Sequence, residues 1–178
     1  MEYTYREMGA TDLELMRQID RAEHITTTYT QDGDQLLSHA VDWQDPGWHD
    51  GTGDHSFDHH IGFCRGHLDR GASALGCFTP GDLLVGICLM TPEVEPRVAQ
   101  LAYLHVSRDH RRQGVATGLV DRLVDWARAA GATEVYVSAT PSQSAMSFYQ
   151  DMGFRVTDRP NAALLALEPE DIHLRRPL

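Results

Sequence analysis

The sequence has few cysteines and no long apolar run. Its three cysteines are odd in number and lack paired CxxC spacing, which argues against a disulfide framework and a zinc knuckle. We interpret Cys64, Cys77 and Cys88 as buried free thiols. No apolar run approaches the roughly 18 residues of a membrane-spanning helix, and residues 1–14 lack the basic and apolar regions of a secretory signal. We therefore expect a cytoplasmic protein with no membrane partner.

Basic residues are scarce relative to acidic ones. The chain carries 15 Lys and Arg residues against 26 Asp and Glu residues, which gives a formal net charge of −11 and a pI near 5.2. This balance argues against non-specific binding to nucleic acid or to an anionic membrane surface. The chain has 178 residues, of which 42% are apolar and 23% charged, as in ordinary soluble proteins. Length and composition predict one globular domain over residues 1–178.

The first half of the chain predicts a strand, two helices and a long loop. Apolar and polar side chains alternate enough for a strand over residues 3–8, and Thr11 is placed to cap a helix that ends near residues 23–25. Residues 26–53 have no sustained hydrophobic period, so we predict a long loop, with room for short strands, that covers or shapes a binding cleft. Residues 55–70 have apolar side chains roughly on one helical face and predict the second helix.

The second half predicts strands that alternate with helices. A long predicted helix separates two predicted strands, so these elements form a right-handed β-α-β unit whose strands are parallel. A Pro-Gly turn joins the first two strands as a hairpin. The predicted strands cover residues 73–78, 83–91, 97–106, 134–138, 154–157 and 162–168, and the predicted helices cover residues 115–130 and 142–152.

A basic turn lies between a predicted strand and the long predicted helix. It has the pattern R-x-x-G-x-A, written Arg111-Arg112-Gln113-Gly114-Val115-Ala116. Gly114 and the small Ala116 let backbone N–H groups approach a ligand, and a helix N-terminus favours negative charge. Arg111 and Arg112 add cationic donors, so the turn predicts a phosphate-binding site. Neither the Rossmann G-x-G-x-x-G pattern nor the P-loop GK[ST] is present.

This turn resembles the acetyl-coenzyme A motif of the GCN5-related N-acetyltransferase (GNAT) superfamily. A later stretch is similar to the family's FYxxxGF signature and reads Phe148-Tyr149-Gln150-Asp151-Met152-Gly153-Phe154. The resemblance is close over residues 100–156. It implies an α/β (α+β three-layer) fold, the GNAT fold, whose mixed central sheet of about six to seven strands is flanked by helices. It also implies acetyl-CoA as cosubstrate, with no metal.

The resemblance assigns the cofactor contacts mainly to the backbone. It implies a sheet that splays where the strand at Leu104 parts from the strand at Val137, with the pantetheine arm in the gap. Main-chain groups of Leu104, His105 and Val106 would bond the pantetheine amides. The turn and helix start would hold the pyrophosphate through N–H groups. The cofactor residues implied there are Arg111, Arg112, Gln113, Gly114, Val115, Ala116 and Thr117.

Acetyl transfer needs a proton donor for the departing thiolate and a base for the amine. Tyr149 matches the family's tyrosine position and is the candidate acid, and the alternative is a core aromatic side chain at helical spacing. The base stays open, because Gln100 stands where many relatives carry a glutamate. His105, on the same strand, has an ordinary pKa of about 6.5 and either serves as base or packs as a neutral side chain. Further candidates are Glu23, His24 and Glu93.

Ser142 is the second departure from the family pattern. Many relatives have an asparagine at this position, at the start of an N-x-x-A-x-x-F-Y run. A serine can still cap the helix that follows. The contact of an asparagine with the cofactor would be shortened or lost.

The segment of residues 39–67 is rich in His and Asp. Six of the ten histidines lie there. If residues 55–70 are helical, His60, Cys64 and His67 share a face, and Asp54 or His55 would complete a metal site. The alternative is a solvated acidic lid over residues 48–60. We favour no metal, because Cys64 is needed for the apolar face.

The sequence therefore predicts an N-acetyltransferase that moves acetyl from acetyl-CoA to a primary amine by direct attack in a ternary complex. A small-molecule amine is the favoured acceptor, because the segment of residues 26–53 suits the enclosure of a small cation. A protein N-terminus or lysine is an alternative acceptor. A non-catalytic, CoA-binding regulatory module is an alternative from another class. Members of the superfamily often pair through their sheets, which allows a homodimer.

Overall fold

The protein, described here over residues 2–178 of a computed structural model, is built on a mixed sheet of seven strands. Spatial order in this sheet is β1-β4-β5-β6-β7-β9-β8, and β2 and β3 form a separate antiparallel pair. The strands are β1 (Thr4–Glu7), β2 (Glu23–Asp32), β3 (Gln35–Asp45), β4 (Ser73–Phe78), β5 (Leu84–Glu95), β6 (Val98–Val106), β7 (Glu134–Ala139), β8 (Arg155–Val156) and β9 (Ile172–Pro177). The sheet matches the predicted fold class.

Four α-helices and two short 3-10 helices connect these strands. The α-helices are α1 (Phe57–Asp69), α2 (Val115–Ala129), α3 (Gln143–Asp151) and α4 (Ala162–Leu167), and the 3-10 helices are Asp12–Gln18 and Arg108–His110. Hydroxyl or amide oxygens of Ser56, Ser142 and Asn161 cap α1, α3 and α4. No helix within residues 2–178 is long and apolar enough to cross a bilayer.

Two buried clusters cover the two faces of the sheet. The α2 face joins side chains of α2 and α3 to alternate residues of β5, β6, β7 and β9. The α1 face joins the first 3-10 helix and α1 to the other side of β4 and β5. A bulge at Ala102 lets β6 serve both clusters, since Leu101 lies opposite Met90 on the α2 face and Tyr103 lies opposite Leu89 on the α1 face.

The sheet opens between β6 and β7. These parallel strands pair only from Val98 to Gln100, opposite Glu134 to Tyr136. Beyond that point β6 continues to Val106 and β7 to Ala139 without pairing to each other. The predicted splay is therefore present, and it leaves one edge of β6 free for a ligand.

The prediction of a long loop over residues 26–53 is wrong for its first 20 residues. Residues 23–45 form the β2–β3 hairpin, which is longer than the short strands for which the prediction left room. Thr, Ile and Tyr side chains favour β2, and Gly33 with φ of 62° makes the turn between the strands. The preceding helix also stops at Gln18, before the predicted residues 23–25, and the Thr11 side chain makes no capping hydrogen bond.

The prediction of a last strand over residues 162–168 is also wrong. This stretch is α4, because Ala and Leu favour a helix and the Asn161 side chain accepts hydrogen bonds from the N–H groups of Ala163 and Leu164, each at 3.1 Å. The last strand is β9, which the sequence did not predict. β9 lies between β7 and β8.

Candidate active site

The turn before α2 has the backbone geometry of an anion site. Gly114 adopts φ of 82°, and Arg112 adopts φ of 58°. The first bond inside α2 runs from the Gly118 N–H to the Gly114 carbonyl at 2.9 Å, so the amides of residues 115–117 precede the helical ladder. A chain of free amides at a helix start attracts phosphate.

The two arginines of this turn have different surroundings. The Arg111 guanidinium pairs with Glu23 at 3.2 Å and donates to the carbonyls of Val106 at 3.2 Å and Arg21 at 2.9 Å. Its charge therefore ties the turn to the end of β6 and the start of β2. Arg112 is exposed and forms no ion pair with any of residues 2–178. Of the two, Arg112 has the side chain free for a phosphate.

The strand residues predicted to contact the cofactor lie on the open edge of β6. Leu104, His105 and Val106 pair with β5 on one side, and β7 has diverged on the other. The Val106 carbonyl already accepts the bond from Arg111. Leu104 and Val106 pack against the α2 face, so His105 projects toward the α1 face.

The His105 ring lies in an aromatic group on the α1 face. Its centroid is 4.6 Å from that of Tyr103 and 4.8 Å from that of Trp48. Burial, followed by the charges of Arg21, His60 and Arg111, lowers the pKa of His105 well below its usual value. The imidazole is therefore neutral near pH 7.

This aromatic group also contains polar atoms without partners. Within residues 2–178 the buried Trp48 Nε1, His60 Nε2 and Tyr103 hydroxyl have no hydrogen-bond partner. Burial lowers the pKa of His60 to about 4, with smaller contributions from nearby charges. The group therefore presents neutral rings and unpaired polar atoms.

Tyr149 projects from α3 into the cluster on the α2 face. It is 7% exposed, and its ring meets Phe148 and Phe154 edge to face. Burial raises the pKa of Tyr149, and the charges of Cys88 and Asp171 add to the effect. The phenol is therefore fully protonated at neutral pH and has a proton to donate.

Ser142 caps α3, as the sequence predicts. Its Oγ accepts a hydrogen bond from the Ala145 N–H at 3.3 Å, and the residue is 5% exposed. Thr28 of β2 bridges to Ser142, so the hairpin covers this helix start. A contact of Ser142 with the cofactor stays a prediction.

The other candidate bases do not share one site. Gln100 is the last β6 residue that pairs with β7. Glu23 is paired with Arg111, and His24 lies on the hairpin with Asp42 at 2.7 Å. Glu93 accepts a hydrogen bond from the Arg97 N–H in the turn before β6. This turn lies at the start of β6, at the far end of that strand from the gap.

The β2–β3 hairpin spans the open end of the gap. At its start Glu23 meets Arg111 beside β6. Further along, the Tyr29 N–H donates to the Pro141 carbonyl at 2.9 Å, just after β7. The Gln31 amide then donates to the Thr157 carbonyl at 2.8 Å, just after β8. The segment predicted to cover a cleft does so, as a hairpin rather than a loop.

A cleft of about 410 Å³ lies between the hairpin tip and the C-terminal segment. Its wall includes Thr30, Gln31, Gly33, Asp158, Asp171 and His173. Sequence reasoning missed this site, because nothing in the motifs points to residues 158–173. The available signal was the acidic stretch of residues 168–171 that follows the FYxxxGF motif.

Two titratable side chains on the cleft wall have unusual surroundings. Asp171 accepts a hydrogen bond from Ser138 Oγ at 3.1 Å, and burial, with Glu168 nearby, raises its pKa to about 7. His173 is 2% exposed, and burial lowers its pKa. Its Nδ1 lies 2.5 Å from the Tyr136 hydroxyl, while its Nε2 has no partner within residues 2–178.

The tautomer of His173 depends on which atom donates in its hydrogen bond with Tyr136. The Tyr136 oxygen accepts the Asn161 N–H at 3.0 Å, so its own proton is free to go to His173 Nδ1. A neutral imidazole that accepts at Nδ1 carries its proton on Nε2. With Tyr136 as the donor, His173 offers one unpaired N–H at Nε2.

The histidines and cysteine considered for a metal site are not arranged as one. Cys64 and His67 are buried on α1, and the His60 ring packs on Trp48 with centroids 4.8 Å apart. Over the described part of the chain, no group of three His, Cys, Asp or Glu side chains is placed to hold a metal ion.

Comparison with known proteins places these features in one family. The family model described as "Acetyltransferase (GNAT) family" matches residues 23–154. Human N-acetyltransferase 8 is 42% identical over 67 residues, which are 37% of this chain and 30% of that protein. The chain thus spans about a third of the length of this curated relative.

Solved structures agree on the fold. A nourseothricin acetyltransferase superposes with a TM-score of 0.75 at 19% identity and covers 99% of both chains. The PaiA N-acetyltransferase of Thermoplasma acidophilum, solved with coenzyme A, gives 0.64 at 14% identity over 100% of both chains. The family model covers most of the chain, including the R-x-x-G-x-A turn and the FYxxxGF stretch, and the chain therefore belongs to the GNAT acetyltransferase family.

Proposed function

We propose that this protein is an acetyl-CoA-dependent N-acetyltransferase that transfers acetyl to a primary amine by direct attack in a ternary complex. One observation carries the proposal: β6 parts from β7 after Gln100, directly beside the free amides at the start of α2. An open strand edge suits an amide-bearing chain, and a helix start suits its pyrophosphate. Bound acetyl-CoA supplies the activated acetyl group as a thioester.

The cofactor residues of the proposal follow the open edge and the turn. Leu104, His105 and Val106 offer backbone groups to the pantetheine arm, and Ser142 lies at the start of α3 across the gap. Arg112 supplies a free cation, while Arg111 positions the turn through Glu23. The remaining phosphate contacts fall to the backbone of Gln113, Gly114, Val115, Ala116 and Thr117.

Tyr149 is the acid of the proposal. Tyr149 is buried and its phenol is protonated, so it has a proton for a leaving thiolate. His105 stays a candidate base. Its lowered pKa makes it a weak proton acceptor, because surrounding charges and burial disfavour the imidazolium.

A small-molecule amine is the proposed acceptor. The hairpin encloses the end of the gap, and the adjoining cleft has a volume of about 410 Å³, within the range of small-ligand sites. Asp158, Glu170 and Asp171 on its wall favour a cation. A protein N-terminus or lysine would need an open groove. We also propose a single domain in the cytoplasm, with a homodimer allowed.

Calorimetry with acetyl-CoA tests the cofactor half of this proposal, and we expect micromolar-range binding. Thiol release with a panel of amino sugars, polyamines and peptides tests the acceptor half. The chain has no lysine, so any acetyl-lysine signal comes from the added acceptor. Failure to bind acetyl-CoA would remove the proposal. Binding without amine-dependent thiol release would favour the non-catalytic module.

A further inference from the structure

We propose that Asp171 accepts the proton from the attacking amine, and that the neighbouring His173 Nε2–H holds a hydrogen-bond acceptor carried by the same substrate. This inference rests on the proposed function and adds the base and the substrate class. The acceptor would be a primary amine with a hydroxyl or carbonyl group close by, as in an amino sugar or an amino-acid amide. Three observations support it.

The first observation is the position of Asp171 relative to the gap. Ser138, which donates to Asp171 at 3.1 Å, lies near the end of β7, beyond the last residue that pairs with β6. Val137 and Ala139 face α2, so Ser138 faces the α1 side. Tyr149 lies on the other face, near enough for the Asp171 charge to affect its pKa. Acid and base would thus approach the thioester from opposite faces.

The second observation is the unpaired donor of His173. The residue is 2% exposed and lines the same cleft as Asp171, and its Nε2 has no partner within residues 2–178. With the Tyr136 hydroxyl donating to Nδ1, the proton of the neutral ring lies on Nε2. A buried N–H without a partner carries an uncompensated desolvation cost, which a bound oxygen acceptor would remove.

The third observation is the charge around Asp171. Glu168 and Glu170 lie beside it in the chain, Asp158 lines the same cleft, and Tyr149 and His173 are neutral neighbours. The residues that β2 contributes to the cleft wall, Thr30 and Gln31, are uncharged. No cation in this set stabilises the carboxylate, so burial and Glu168 keep its proton affinity high enough for a base near pH 7.

The proposed step moves one acetyl group and two protons. The neutral amine nitrogen attacks the thioester carbonyl carbon, a C–N bond forms and the C–S bond breaks. One amine proton moves to an Asp171 carboxylate oxygen, and the departing sulfur takes the Tyr149 phenolic proton. Exchange with water then returns one proton to Tyr149 and removes one from Asp171. Neither an oxidant nor a metal is required.

The test compares Asp171→Asn with Asp151→Asn, an exposed change of equal charge at the end of α3. With a reactive amine, we expect Asp171→Asn to lower kcat by about 10²- to 10⁴-fold. It should also abolish the rise of kcat/KM through about pH 7. The separate rise from the amine's own ionisation should persist, and acetyl-CoA affinity should not change.

Ser138→Ala is the second variant, and it keeps the carboxyl. The Ser138 hydrogen bond lowers the pKa of Asp171, so its loss should move the inflection to higher pH. An inflection that does not move in Ser138→Ala, or wild-type kcat in folded Asp171→Asn, would overturn the inference. Wild-type enzyme that releases no thiol with any amine would instead refute the proposed function itself.

The His173 half is tested by paired substrates. An amino sugar and its deoxy analogue, which lacks the hydroxyl beside the amine, should differ in kcat/KM by at least tenfold. His173→Phe should remove that difference. Equal kcat/KM for the pair in wild-type enzyme, for every pair tried, would overturn this half.

Discussion

Replacement of Tyr149 by phenylalanine separates an acid from a packed aromatic side chain. The change removes one hydroxyl and keeps the ring that packs on Phe148 and Phe154, so it should change stability by no more than about 1 kcal/mol, the net contribution of a typical hydrogen bond. A positioned acid contributes about 10²- to 10⁴-fold in rate. Each tenfold change in rate corresponds to about 1.4 kcal/mol. The expected loss of kcat therefore corresponds to about 3–5 kcal/mol of lost transition-state stabilisation.

The assay is steady-state thiol release, with thermal melting and acetyl-CoA calorimetry on the same preparations. Tyr136→Phe is the contrasting variant, because its hydroxyl bonds both His173 and the Asn161 N–H. Its loss should cost about 1–3 kcal/mol of stability. Wild-type kcat in Tyr149→Phe would refute its role as the acid. A large loss of stability there would show that the hydroxyl has a structural partner.

Three further tests, with four substitutions, concern stability. Asp45→Asn leaves Arg21 without its buried counter-charge, 2.5 Å away, and should cost about 3 kcal/mol in urea unfolding. Gly114→Ala should destabilise by about 1–2 kcal/mol, because φ is 82°, whereas Gly62→Ala inside α1 should stabilise slightly. The folded-state pKa of His60 lies below its unfolded value, so its contribution is complete above about pH 6.5 and is lost as pH falls toward 4. His60→Gln should therefore flatten the melting temperature over that window.

Three results would contradict these expectations. Equal urea midpoints for Asp45→Asn and wild type would mean that solvent screens the Asp45–Arg21 pair. Destabilisation by both glycine changes would point to crowding rather than backbone conformation, although neither added Cβ has an atom within 4 Å beyond its chain neighbours and, for Gly62, its own helix backbone. An unchanged pH profile in His60→Gln would assign the acid loss to other groups.

The sequence was sufficient for the features that local chemistry determines. Gly114 before an amphipathic helix predicted the turn and α2, and both are present. The parting of β6 and β7 followed from the family resemblance. Ser142 capped α3 as expected because an N-cap depends only on residues within one turn.

Features that depend on distant contacts could not be read in the same way. The β2–β3 hairpin has mostly exposed or half-buried side chains on both sides, so its strands show no clean alternation. The helix over residues 162–167 is an exception: its Asn161 cap is a local signal, and the strand prediction overlooked it because the stretch is apolar. The Asp171 site joins a hairpin tip to residues about 140 positions later, a separation that no local pattern records.

The position of Gln100 explains why a base is expected at Asp171. Gln100 lies opposite Tyr136 in the parallel register, so the two side chains share the α1 face. Ser138 is the next residue of β7 on that face, one step further into the gap, and it holds Asp171. The Asp171 carboxylate, bonded to Ser138 of β7, therefore lies on the α1 side of the gap. A glutamate at position 100 of β6 would face the same side. Restoring the carboxylate by Gln100→Glu should therefore rescue turnover in Asp171→Asn, at least in part, if both positions address one substrate nitrogen.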